Sequence, residues 1–113
     1  MTITVDDIQR AVCKTWGITQ AEMLSDRRAA RVAWPRQAAY YLAKRHTQMS
    51  FPGIAKRFAF RDHTTIMDGI ARAEDRIRDN STYAEMVRRT DYILRSGSRE
   101  KTTADYPDFA VNA

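Results

Sequence analysis

The chain has 113 residues, 43% of them hydrophobic, enough for one buried core and too little for two. Its formal charge is +5 at pH 7, and its single cysteine, Cys13, excludes an internal disulfide. It has no apolar run of membrane-spanning length and no signal-peptide core, so one soluble, cytoplasmic domain without a membrane partner is expected.

Thr4 opens the first element. It pairs with Asp7 as a capping box, and Asp6 and Asp7 put negative charge at the positive end of the helix dipole. Val5, Ile8, Val12 and Trp16 recur at spacings of three, four and four, which predicts a helix over residues 5–15 stopped by Gly17. Thr19 and Glu22 repeat the capping pattern and predict a short helix over 20–24, closed by Leu24 against the core. Cys13 reads as a small core residue rather than a nucleophile.

Ser25 to Ala33 lacks an apolar period and reads as an exposed basic loop. It begins a block, residues 25–61, in which nine Arg or Lys side chains face Asp26 alone, a net +8. The three remaining segments of the chain, 1–24, 62–95 and 96–113, are each net −1. Such a concentration costs self-repulsion unless a polyanion relieves it, which favours nucleic acid over acidic protein or membrane. A solvated basic surface is the plain alternative.

Pro35 is suited to the first position of the next helix, over 35–47, where its missing N–H needs no partner. Ala38, Leu42 and Tyr41 would face inward, and Arg36, Gln37 and Lys44 outward. His46 reads as a surface residue at the helix end, with no second His or Cys spaced to share a metal. Ser50 then caps a short helix with Pro52 in its first turn and Ile54 and Phe58 packed inward. A turn at Ala59-Phe60-Arg61 leads to a helix starting near Asp62. Ile66, Ile70, Ala73 and Ile77 form one apolar stripe on that helix, and Thr64, Thr65, Asp68 and Arg72 lie on the opposite face. Two helices joined so tightly are the pattern of a helix-turn-helix.

Beyond Asn80, Ser81 or Thr82 can cap a last helix that buries Tyr83, Met86 or Val87, Thr90 and Ile93-Leu94, ending near Ser96-Gly97-Ser98. Residues 96–113 read as a disordered tail, with a short aromatic-acidic docking peptide as the alternative. The expectation is an all-α, compact helical bundle: a helix-turn-helix domain over 1–95 with an additional C-terminal helix, then the tail.

Arg61-Asp62-His63-Thr64-Thr65, preceded by Ser50-x-Pro52-x-Ile54-x-x-x-Phe58, resembles the signature of the C-terminal DNA-binding domain of the bacterial replication initiator DnaA. Leu24-Ser25-x-Arg27-Arg28 and Pro35-Arg36-Gln37-x-Ala39-x-x-Leu42-Ala43 match that family in the same order. The similarity covers roughly residues 5–80. It implies that Arg28 enters the minor groove, where a guanidinium senses groove width. It further implies that Arg36 and Gln37 contact DNA from the central helix and that Lys44 holds a phosphate. By the same resemblance, Asp62, His63, Thr64 and Thr65, led in by Arg61, match the segment that reads the major groove. The residue types fit those roles, since Asp accepts from cytosine N4 and Thr offers a methyl to thymine. Asp62 is also an N-cap, and His63 lies on the flank of the Ile66 stripe, so each has a structural alternative. Lys56 and Arg57 rank below Arg28, Arg36 and Lys44 as contacts.

This sequence departs from the family pattern in three places. Ala59-Phe60 stands where Gly-Gly is usual, so a positive φ there would fall on a residue with a side chain. Asp26 replaces a residue that is often basic, and Trp34 stands where a polar side chain is common. No phosphate-binding Gly-x-x-x-x-Gly-Lys-Ser/Thr loop occurs, and 113 residues leave no room for the family's ATPase domain, so neither nucleotide, cofactor nor enzymatic activity is expected. The expected function is sequence-specific binding of double-stranded DNA at replication-initiator-type sites, regulating initiation or transcription in a bacterium or phage. The alternative is a protein-interaction module acting on a replication or transcription protein through residues 82–113.

Overall fold

Polar residues placed one position before an apolar period start most of the helices. The structure, a computed structural model, describes residues 2–59 and 61–96. Among these residues the chain forms helices α1 Val5–Trp16, α2 Gln20–Met23, α3 Ala30–His46, α4 Phe51–Arg57, α5 His63–Asp79 and α6 Ser81–Arg95, and no strand. The fold is all-α. The proposed tail beyond Ser96 lies outside the described residues.

Thr4 with Asp7 and Thr19 with Glu22 complete reciprocal capping boxes on α1 and α2. Ser50 accepts from the Gly53 N–H at 3.1 Å, and Asn80 from the Tyr83 N–H at 3.0 Å. Each such cap satisfies an orphan donor and stabilises its helix by about 1 kcal/mol. Asn80, rather than Ser81 or Thr82, caps α6, so that helix starts one residue earlier than the hydroxyls alone predict. Gly17 ends α1 in the left-handed region, at φ 72°, and returns its N–H to the Cys13 carbonyl at 2.8 Å. Cys13 is half-buried against the core, and burial pushes its thiol pKa up.

The central helix α3 departs most from expectation. It begins at Ala30, five residues before Pro35, because the Ala29 carbonyl takes the N–H groups of Val32 (2.9 Å) and Ala33 (2.8 Å). Pro35 therefore lies inside the helix, where its ring removes one bond to the exposed Arg31 turn. Helices α1, α2, α4 and α5 all pack on α3, which is consequently buried on several sides. Tyr40, rather than Tyr41, is the buried tyrosine, with its ring edge-on to Phe58 at 4.8 Å. Leu24 packs against the core as expected, and Met23 is the fully buried residue of the α2 segment.

On α5 the predicted division holds: Ile66 and Ala73 are fully buried, Ile70 and Ile77 pack against the core, and Thr64, Thr65, Asp68 and Arg72 are exposed. Gly69 faces α3 so closely that a Cβ there would lie 2.5 Å from the buried Tyr40 ring. Helix α6 packs on α1 and α5 through Tyr83, Val87, Thr90 and Leu94. The Tyr83 hydroxyl donates to the Trp34 carbonyl at 2.8 Å, and the Arg76 guanidinium lies over both rings, at 4.3 Å from Trp34 and 5.1 Å from Tyr83. His46, expected at the surface, is largely covered, with Nε2 2.5 Å from Asp91 Oδ1 of α6.

Gly69→Ala should destabilise the domain by about 1–3 kcal/mol, because the buried Tyr40 ring cannot retreat; urea denaturation measures it. Burial pushes the Tyr83 phenol up to about 12, with Arg76 drawing it the other way. The unfolded phenol ionises near pH 10, so this contribution is full below pH 10 and lost as pH rises toward 12, on the order of 2 kcal/mol. Tyr83→Phe should flatten that part of the stability profile in an alkaline melting series.

Candidate nucleic-acid interface

The recognition segment begins where α4 ends. Phe58 returns its N–H to the Ala55 carbonyl at 3.0 Å, and Arg61 reaches the same carbonyl at 3.1 Å. Between them Ala59 adopts φ 63°, the left-handed conformation that glycine takes at little cost. The positive φ expected of this turn falls on Ala59; Phe60 lies outside the described residues.

Asp62 caps α5, accepting from the Thr64 N–H at 3.4 Å, with His63 Nδ1 3.4 Å away. Its side chain is 68% exposed and that of His63 54%. Thr64 and Thr65 are exposed on the first turn, and Met67 follows beside them at 46% exposure. The start of α5 thus presents an acceptor, an imidazole and two hydroxyl-methyl pairs to solvent. Those are groups with which a helix end reads base edges.

Arg36 does not project outward. It is 7% exposed, and its guanidinium donates to the carbonyls of Met23 (2.8 Å), Arg27 (2.9 Å), Ser25 (2.9 Å) and Glu22 (3.3 Å). The helix beginning at Ala30 turns this side chain onto the loop rather than away from it, and burial lowers its pKa. Arg61 approaches the same loop from the other side. Its Nη2 donates to the Ser25 carbonyl and its Nη1 lies 3.7 Å from Asp26 Oδ1. The family resemblance placed both arginines at the DNA surface, and the structure turns both onto the peptide of residues 22–27. In-phase spacing of Arg36 with Ala39, Tyr40 and Ala43 is the signal that would have revealed its burial.

The loop itself presents Arg28. Glu22 engages Arg31 at 2.6 Å and Arg27 at 3.9 Å, and these arginines hold its carboxyl below the usual range. Arg28 is exposed and has no ion pair among the described residues. Gln37 is half-buried, its Oε1 accepting from Arg76 Nη1 at 2.7 Å, and its amide NH2 has no hydrogen-bond partner among the described residues. Lys44 is exposed, donating to the Met49 carbonyl at 3.2 Å and lying 4.5 Å from the Phe51 ring centroid. Among the described residues no group of three His, Cys, Asp or Glu side chains could hold a metal ion, and no helix is long and apolar enough to cross a membrane.

A family model described as the bacterial dnaA protein helix-turn-helix matches residues 5–72. The chain belongs to the DnaA helix-turn-helix family. It is 51% identical over 72 residues to the chromosomal replication initiator protein DnaA of Caulobacter vibrioides strain NA1000, covering 64% of this chain and 15% of that protein. The DnaA of Gluconobacter oxydans is 44% identical over 85 residues, 75% of this chain and 18% of its own. That of Bartonella quintana is 42% identical over 83 residues, 74% and 17%. The chain thus spans less than a fifth of the length of these DnaA relatives. The family model's match ends at residue 72, part-way along α5, and the matches of 83 and 85 residues to the Bartonella and Gluconobacter proteins extend beyond it.

Ala59→Gly should stabilise the domain by roughly 1 kcal/mol, the cost of the left-handed conformation for a residue with a Cβ. A rise in the urea midpoint with unchanged slope is the expected result.

Proposed function

We propose that this DnaA-type domain binds double-stranded DNA in a sequence-specific manner, at replication-initiator-type sites, and thereby regulates replication initiation or transcription. The first turn of α5 enters the major groove with His63, Thr64 and Thr65, and Arg28 enters the adjacent minor groove. The observation that carries this reading is that Ser25, three residues before Arg28, is hydrogen-bonded to Arg61, the residue before the α5 cap. Two exposed sets of reading groups are thereby held side by side. Asp62 has two compatible roles, as cap and as an acceptor for a cytosine amine. Lys44 and the free amide of Gln37 supply backbone contacts. No catalytic step is assigned to any of these residues. The interaction-module reading is weaker, because the apolar stripe of α6 is already packed on α1 and α5.

Fluorescence anisotropy with a labelled initiator-type duplex and a scrambled duplex tests the proposal. A preference of about tenfold or more is expected at physiological salt; equal affinity for both would overturn it. Thr64→Ala should shrink the preference by about 1–3 kcal/mol, whereas Lys44→Ala should weaken both duplexes alike. Arg28, Lys44, Arg45, Lys56 and Arg57 form no ion pair among the described residues. If all five reach phosphate, log affinity should fall with log salt at a slope of about −4 to −5.

A further inference from the structure

The side chain of Arg61 is only 16% exposed, although the residue directly precedes the cap of the reading helix. Its Nη2 is committed to the Ser25 carbonyl, its Nη1 faces Asp26, and its Nε is buried without a hydrogen-bond partner among the described residues. The same Ser25 carbonyl also accepts from Arg36 at 2.9 Å. One peptide oxygen therefore receives a guanidinium from the helix core and another from the start of α5. A guanidinium engaged in this way is poorly placed to meet a phosphate, and the fully exposed carboxylate of Asp26 beside it would oppose one.

We propose that Arg61 is a positioning residue that acts through Arg28: it fixes residues 25–28 against the first turn of α5 and so sets the spacing at which two neighbouring grooves are read together. The inference rests on the DNA-binding reading above. Its physical basis is the narrowness of the minor groove, about 6 Å, into which a loop free to drift would no longer aim a side chain. Arg36 holds the loop to the core, and Arg61 hydrogen-bonds it to the start of the reading helix.

A double-mutant cycle of Arg61→Gln with Arg28→Ala, read as the affinity ratio of initiator-type to scrambled duplex, tests it. Arg61→Gln should lower that ratio by about tenfold while leaving scrambled-duplex affinity and its salt slope unchanged. In the Arg28→Ala background the same substitution should cost nothing further. Additive losses overturn the proposal, as does an equal loss on both duplexes with a slope shallower by about one, the signature of a direct phosphate contact. If Arg61→Gln does not fold by thermal melting, Arg61→Lys carries the same cycle, since it keeps the charge and stem but lacks the forked donors. A wild-type domain with no preference would overturn the DNA-binding reading together with this one; a wild-type preference with additive losses overturns this one alone.

Discussion

A single buried guanidinium holds the end of α2 and the segment after it against α3. Removing an arginine from water costs several kcal/mol unless its donors are satisfied, and Arg36 is satisfied by four peptide carbonyls at 2.8–3.3 Å. Those carbonyls belong to the end of α2 and the irregular segment after it, and the guanidinium donates to each of them. The burial of Arg36 and the path of residues 22–27 are therefore mutually dependent. Neither would be stable alone, and the exposed Arg28 is carried on the result.

The helix starts were legible because capping is local. Thr4 with Asp7, Thr19 with Glu22, Ser50 and Asp62 each announce an N-terminus within four residues of sequence, and each cap is present. The stripe on α5 was legible for a related reason, since one face of that helix meets the core and the other meets solvent. Helix α3 was not, because a helix packed on by four others has no single apolar stripe to read. Charge then outweighed phase at Arg36: its spacing of three, four and seven to Ala39, Tyr40 and Ala43 marks an inward face, yet an arginine in a basic block invites an outward reading. Arg61 bonds a carbonyl 36 residues earlier, which no local pattern encodes.

The basic block is consequently smaller in effect than its count of charges. Of its nine cations, Arg27 and Arg31 are drawn to Glu22, Arg36 is inside the fold, and Arg61 is held between Ser25 and Asp26. Sequence-level charge records how many cations a segment contains, whereas affinity for a polyanion follows those left facing solvent. Four of the nine cations are thus paired with carboxylates or hydrogen-bonded to peptide carbonyls within the domain, although Arg36 and Arg61 still repel each other.

The contact at Gly69 bears on how such a domain meets DNA. With a Cβ-width gap already closed between α3 and α5, and the Tyr40 ring wedged edge-on against Phe58, α5 has no room to rock or slide on its support. Accommodation between protein and site then falls on side-chain rotamers and on the duplex. Under the proposed DNA-binding reading, sites whose steps twist and bend easily would be accepted where stiffer ones carrying the same contacted bases are refused. A missing methyl group in the protein interior thus becomes a demand on the mechanics of the nucleic acid.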